Sequence, residues 1–484
     1  MNLDILIIQP YSTDKQVNGS IQLSKYLKNK GLSVGILFFK TVYSRDVVRE
    51  LNLGGVSHWD LDSLIKKHGL DLTITENDIK RIKKTYDIYS LRNFCFTSFV
   101  YAHVLTSVLG LISDDYYDYS NDFSNEYLIE RALLAFNVME LFLSDHDVQC
   151  FYHTDFGGEI VRRVIHHIAE YRGIPSVYPK SIPFLNRFSF TSNEHDILDT
   201  LELVSYADLN HDEIDFAKKL LYDFRNNKLK YSNIETKTFF TPIKSYYREQ
   251  IEPYGLFSGK SILKIASTIL RFFHGCILKG RYSYLFDDPD YSEDYYLFPV
   301  HFHCESLLTF RNQEFWRQEF LVEYISRLLP LGCKLYVKLH PFQPYSFPMD
   351  VLHKLKQISN IKIINSQINT HQLIKKSKGV IVIASTVGFE SLLLQQNVIC
   401  AGKVFYRGLG LTTDLLKLDE LPQILSKSIQ KNVTENEIIE LLCALIRCSY
   451  IGNRDVAVSN WTNKANMSIL GDALVDYLLH LDGK

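Results

Sequence analysis

This sequence predicts an α/β protein made of two Rossmann-like halves around a cleft, and three observations support that. The apolar runs at 334–338 and 379–384 read as buried parallel strands. Each ends in a small polar cluster, KLHP at 338–341 and ASTVGFE at 384–390, and a glycine-rich GKVFYRGLGLT follows at 402–412. In open α/β sheets ligands bind outside the carboxyl ends of the strands. There the next helix offers unpaired N–H groups and a positive dipole end to an anion. The three clusters therefore read as a phosphate and nucleotide cradle.

The elements follow in order. Residues 3–8 form a β-like run, a polar loop continues through Gly19, an amphipathic helix spans 20–30 up to Gly31, and apolar residues resume at 32–39. That is a β-α-β opening. Residues 86–111 and 126–143 read as helices, 148–153 as a strand, 158–172 as a helix closed by Gly173, and 174–178 as a strand. DFGGE at 155–159 occupies the strand-to-helix turn of that second unit and faces the cleft. The acidic, proline-bearing DDPDYSEDYY at 287–296 marks a boundary, dividing the chain into 1–285 and 286–484. A second α/β unit then runs from 296, with helices at 315–329 and 349–359 and strands at 334–338, 361–364 and 379–384. Residues 465–479 read as a closing helix that packs back across the junction.

At 484 residues the chain exceeds one ordinary core and suits two domains. A net charge of −2 shows none of the basic excess that a nucleic-acid surface needs, although local basic patches leave a membrane surface open. The eight cysteines, among them Cys95, Cys150, Cys304 and Cys400, form no CxxC pair and read as reduced structural thiols. MNLDILIIQPY lacks a basic lead and a small-residue cleavage site and reads as a first strand rather than a signal peptide. Later apolar stretches are broken by charge before the roughly 20 residues of a membrane helix.

Several side chains carry candidate chemistry. His340 follows a strand and precedes a proline, so its imidazole can donate to a phosphate oxygen or neutralise a departing phosphate, or else merely tie a turn. Ser385 and Thr386 precede a helix with Gly388 in its first turn, where a hydroxyl serves as N-cap, as phosphate ligand, or as both. Glu390, one turn on, can present a carboxylate to a ribose diol or stand as a solvated glutamate. Lys338, and Lys403 in its glycine-rich loop with Tyr406 and Arg407, suit a nucleotide or a sugar carboxylate. In the first half, Asp155 and Glu159 flank two glycines. Either can act as base or nucleophile, with Asp155 preferred, while Arg162 binds an acidic sugar. The plain alternative is an N-capping Asp155 with Glu159 paired to Arg163. His301, His303 and Glu305 alternate on one face of a strand, but no third ligand has convincing spacing. A cleft wall shared with Arg311 is expected there, and no metal.

The segments FPVHFHCE at 298–305, YVKLHP at 336–341, STVGFESLLL and GKVFYRGLGLT resemble the bacterial capsule polysaccharide biosynthesis and export proteins. Characterised members of that family are Kdo transferases using a CMP-activated sugar. The His-Pro and Ser-Thr pairs also resemble the CMP-binding motifs of bacterial sialyltransferases. The resemblance covers about 298–412, with DFGGEIVRR and GIPSVYP as its supports in the first half. It implies a GT-B fold in which His340 contacts or protonates the CMP phosphate. Ser385 and Thr386 would bind that phosphate, Glu390 would address the nucleotide, and Asp155 would be the leading catalytic carboxylate. The chain departs from the sialyltransferase pattern at Phe156, which stands where a second acidic residue is found.

The implied activity is transfer of Kdo or a related acidic sugar from CMP to a surface polysaccharide or glycolipid. It needs no cofactor and no nucleic acid. The implied place is the cytoplasm, with peripheral contact to the inner membrane or to capsule assembly proteins left open. Two rival readings remain, a UDP-sugar-dependent GT-B transferase or epimerase and a non-catalytic glycan-binding component of capsule assembly.

Overall fold

The computed structural model describes residues 1–10, 14–39, 49–52, 54–70, 75–98, 125–154, 156–195, 197–229, 280, 282–302, 305–340, 349–426, 433–454 and 464–482. Two sheets organise these residues. In the first, β1 (Ile5–Gln9), β2 (Val34–Phe38), β3 (Ser57–Asp60), β4 (Phe151–His153) and β5 (Ser176–Ile182) are parallel, and β6 (Arg187–Thr191) returns antiparallel on β5. In the second, β7 (Tyr295–Pro299), β8 (Lys334–Lys338), β9 (Ile361–Ile364), β10 (Gly379–Val382), β11 (Val398–Cys400) and β12 (Thr413–Asp414) are all parallel.

Numbered within its own domain, each sheet runs 3-2-1-4-5-6, the Rossmann order. The reversal of direction falls between β1 and β4 in the first sheet and between β7 and β10 in the second. Crevices form at those two places. Contacts between the carboxyl ends bring the two crevices face to face, which is the GT-B arrangement: Arg311 lies 5.3 Å from the Phe156 ring and Lys180 Nζ 5.3 Å from the Phe405 ring.

Helices cover both faces of each sheet. The first is α1 (Asp14–Asn29), which starts ahead of the expected residue 20. Val17 and Ile21, four apart, are buried on its inner face, and Ser20 Oγ donates to Gln9 Oε1 at 2.6 Å. The polar residues around them hid that turn. Next come α2 (Asn125–Asp145) and α3 (Ile160–Arg172), the latter ending on Gly173 with φ 66°. Of the helix expected over 86–111, Leu91–Phe94 and residues 96–98 are helical with a turn at Cys95 between them, 86–90 are not helical, and 99–111 lie outside the described residues.

Each half of the chain lends a helix to the other core. From the first half, α4 (His211–Arg225) buries Ala217, Leu221 and Phe224 in the core of the second sheet, against α8 (Glu435–Arg447). Conversely, β13 (Tyr450–Ile451) extends the first sheet through β6, and α9 (Lys464–Asp482) places Met467, Leu470 and Leu474 in the core beneath β1 and β2. The division expected at 285/286 counts this last helix with the second domain, but it packs back across the junction, as its sequence suggested, onto the first core. An apolar helix face goes wherever a sheet face lacks cover, irrespective of chain order. Among the described residues no helix is long and apolar enough to cross a membrane.

Candidate functional site

The carboxyl end of β7 is the centre of the site. Its strand runs between β8 and β10, so the segments leaving those strands, with His340 on one side and Ser385 on the other, stand roughly 10 Å apart across two strand spacings. Between them is His301. Gln318, fully buried at the start of α5 (Gln318–Leu328), holds the His301 backbone at both ends: its Oε1 accepts from His301 N at 2.8 Å and its Nε2 donates to His301 O at 3.1 Å.

The His301 ring connects two elements. Nε2 accepts from Ala384 N at 3.4 Å, just ahead of the helix, and Nδ1 faces Glu305 Oε2 at 3.5 Å. An N–H donating to Nε2 requires the proton on Nδ1, which points it at the carboxylate. Glu305 is held below the usual carboxylate range. Desolvation alone would raise it, but the hydrogen bond from His301 and the positive charge of Arg311 outweigh burial. His340 shifts below its ordinary value, chiefly through burial, with the Lys338 ammonium adding and Glu305 opposing. His340 is therefore neutral near pH 7.

Opposite, Ser385 is the N-cap of α7 (Thr386–Leu393) and its hydroxyl accepts from Val387 N at 3.2 Å. Thr386 is the first helical residue and is half-buried. The loop after β11 is pinned beneath this helix: Asn312 Oδ1 accepts from Lys403 N at 2.7 Å, and Tyr406, fully buried, donates its hydroxyl to Ser385 O at 2.6 Å.

Several expected contacts resolve differently. Tyr406 is sealed inside the domain and cannot touch a substrate, because its ring fills the space under α7. Gly388 makes room for that ring, since a Cβ there would sit 2.2 Å from the Tyr406 hydroxyl. Glu390 faces His371 Nε2 at 3.3 Å, on α6 (Thr370–Lys376), so an imidazole stands where a ribose was expected. Buried Lys338 donates to Ser366 O at 2.7 Å, and burial brings its pKa down to about 8, with Glu390 opposing. Lys403 reaches the other domain, its Nζ donating to His195 Nε2 across 3.4 Å.

On the first domain, Glu159 is the N-cap residue of α3 and its carboxylate pairs with Arg162 at 3.4 Å, in place of the expected partner Arg163. Arg162 is buried, because position i+3 points beneath the turn while Arg163 turns out to donate to Phe94 O at 2.6 Å. Asp155 and His303 lie outside the described residues. Phe156 stacks on Tyr178 at 5.3 Å, and the Arg311 guanidinium lies 5.3 Å from the same ring, so residues 156–159 meet the second domain there. Thr97 Oγ1 reinforces that junction by donating to Thr309 O at 3.1 Å.

Sequence reasoning missed Gln318, Asn312 and His195. Gln318 and Asn312 act on backbone atoms of distant segments and lie outside any strand-end cluster, so no local pattern marks them. Only the polarity of Gln318 within an apolar helix face hinted at a buried role.

Residues 293–444 match the family model described as capsule polysaccharide biosynthesis protein. The matched segment encloses His301, Glu305, His340, Ser385 and Lys403. A search of curated protein sequences finds no match. Among solved structures, the chain is similar to the Thermosulfurimonas dismutans KpsC β-Kdo 2,4 transferase at 16% identity and TM-score 0.34, over 63% of this chain and 84% of that one. It is also similar to the Methanocaldococcus jannaschii UDP-GlcNAc 2-epimerase at 10% identity and TM-score 0.28, over 92% and 99%. A Rickettsia africae glycosyltransferase matches at 12% identity and TM-score 0.26, over 98% and 97%. These superpositions are loose, and the fold assignment rests on the strand orders given above.

Proposed function

We propose that this chain is a glycosyltransferase of capsule polysaccharide synthesis that moves Kdo or a related acidic sugar from CMP to a glycan or glycolipid acceptor. One observation carries the reading. At the switch point of the second sheet, inside the family-matched segment, His301 couples Glu305 to the head of α7 while His340 stands alongside.

A CMP-sugar departs as a phosphate monoester, so the site must stabilise one growing dianion. The first turn of α7 offers its dipole and N–H groups, Thr386 its hydroxyl, and neutral His340 a proton affinity that rises as the anion approaches. No cofactor is required for that chemistry. Burial of the phosphate between two domains strengthens each of these interactions and excludes water that would hydrolyse the donor. Asp155, between the strand end at His153 and the ring at Phe156, is the carboxylate proposed to act on the acceptor hydroxyl or the anomeric carbon. The proposed setting is the cytoplasmic side of the membrane on which the glycan is assembled.

The test is His340→Ala, followed by CMP release from CMP-Kdo with a glycan acceptor. A fall on the order of a hundredfold or more is expected, the scale for losing one preorganised group at a developing charge, with an unchanged melting temperature. Wild-type turnover would remove the role assigned to His340. Stronger thermal stabilisation by UDP than by CMP would overturn the donor assignment.

A further inference from the structure

The carboxyl end of β7 poses a hydrogen-bonding problem that one side chain solves. β7 pairs with β10 up to Leu297 and with β8 up to Pro299, and the bond from Val300 N to Lys338 O at 2.9 Å is the last of that ladder among the described residues. At the next residue the strand pairing has stopped, yet His301 is only 5% exposed, so its peptide groups need partners that water does not supply. Gln318, with no exposure of its own, supplies both at once.

The residue type follows from the chemistry. A backbone N–H can only donate and a carbonyl can only accept, so the partners fix the amide orientation, with Oε1 on His301 N and Nε2 on His301 O. A primary amide carries the same donor and acceptor pair as a peptide group, and Gln318 therefore stands in for a missing strand. An apolar side chain of similar volume would leave both groups buried and unpaired, and a carboxylate would keep one bond while setting a charge against the carbonyl. The consequence travels through the His301 ring. Its contacts to Ala384 N at 3.4 Å and Glu305 Oε2 at 3.5 Å lie at the outer limit of a hydrogen bond, so a slip of the His301 backbone by a few tenths of an ångström takes them out of range. Ala384 immediately precedes the Ser385 cap of α7, the helix whose first turn is the seat proposed for the phosphate.

We propose that Gln318 is a positioning residue of the donor-phosphate site: its amide takes the place of a strand neighbour for β7 and thereby sets the reach of His301 to the head of α7 and to Glu305. The identity of the donor rests on the transferase reading, whereas the positioning is defined on this chain's own groups and does not require turnover. Gln318 is closed to solvent and acts through His301.

Two measurements on the full chain test this, each against a control that only destabilises. Tyr295, at the opposite end of β7, donates to Leu373 O at 2.7 Å, so Tyr295→Phe deletes a buried bond in the same core, away from the crevice, while keeping the ring stack on Tyr336. In calorimetric titrations Gln318→Met should bind CMP at least tenfold more weakly than wild type, whereas Tyr295→Phe should lower the melting temperature and leave CMP affinity unchanged. The second measurement is histidine-selective nitrogen NMR at mildly alkaline pH, where imidazoles are neutral, with the His301 signals identified by their loss in His301→Asn. Wild type and Tyr295→Phe should show the proton fixed on Nδ1, and Gln318→Met an average of both tautomers. If Gln318→Met fails to fold, Gln318→Asn, which keeps the amide but draws it back by one methylene, takes its place. Wild-type CMP affinity in the Gln318 variant, equal losses in that variant and in Tyr295→Phe, or a wild-type His301 protonated on Nε2 would overturn the proposal. Failure of wild type itself to bind CMP would count against the transferase reading instead, and the tautomer comparison would then decide the positioning role alone.

Discussion

His153, at the end of β4, is fully buried and stacks on Tyr178 at 4.3 Å with neither ring nitrogen hydrogen-bonded among the described residues. Burial first, then the charges of Arg162 and His166, depress its pKa well below the ordinary value. His167 and His195 are brought down to about 4, mainly by burial. The native state keeps these rings neutral while the unfolded chain takes up protons from about pH 6.5 downward. Their stabilising effect is thus complete above pH 6.5 and is lost as the pH falls toward 4, by up to about 1.4 kcal/mol per pH unit for each ring. The melting temperature should be nearly flat from pH 7 to 8 and drop steadily below 6.5. His153→Phe, which retains the stack, should show a shallower drop in a fluorimetric pH series, and an identical slope would remove His153 from the account. What was legible at this scale was chemistry next to a strand end: His340 and Ser385 advertise themselves by following apolar runs. His153 was hidden because the side chains that desolvate it come from α3 and β5.

At the scale of the element, α7 shows how a site is built from beneath. Its cap, Ser385, was readable from local pattern, since a hydroxyl between a strand and a helix satisfies end N–H groups. The function of Gly388 was not, because it depends on a ring eighteen positions away in sequence. Gly388→Ala should cost about 1–3 kcal/mol by overpacking against Tyr406. In a Tyr406→Phe background the added cost should shrink, since the hydroxyl is the atom in closest conflict. A double-mutant cycle in urea measures this coupling, and strict additivity would show that the helix and loop accommodate the methyl independently. The same reasoning explains why Glu390 and Lys338 were expected to face ligand. Their positions at strand and helix ends are right, but His371 and Ser366 come from neighbouring segments and engage them first.

At the scale of the whole molecule, the exchange of helices ties the domains together. Tyr26 OH donates to Asp472 Oδ1 at 2.9 Å, and Gly471 permits α1 and α9 to approach so closely that a Cβ there would sit 2.4 Å from the Tyr26 ring. Glu213 of α4 is held by Arg447 at 2.6 and 2.8 Å. A chain truncated after Cys448 should lose the cover of β1 and β2, exposing Ile5, Ile7 and Ile36 to water. Limited proteolysis is expected to degrade its first domain while protecting the second, and equal protection of both would show that α9 is dispensable.

Taken by itself, the sequence determined the two Rossmann-like units and the polar clusters that close their strands. All of these depend on residues close together in the chain, through periodicity, capping and turn chemistry. Only the tertiary structure decided which polar groups remain available and which are consumed, and to which core each terminal helix belongs. Burial and hydrogen-bond satisfaction are collective. The desolvation of His340 and the clamp of Gln318 on His301 exist only once segments far apart in sequence have packed together.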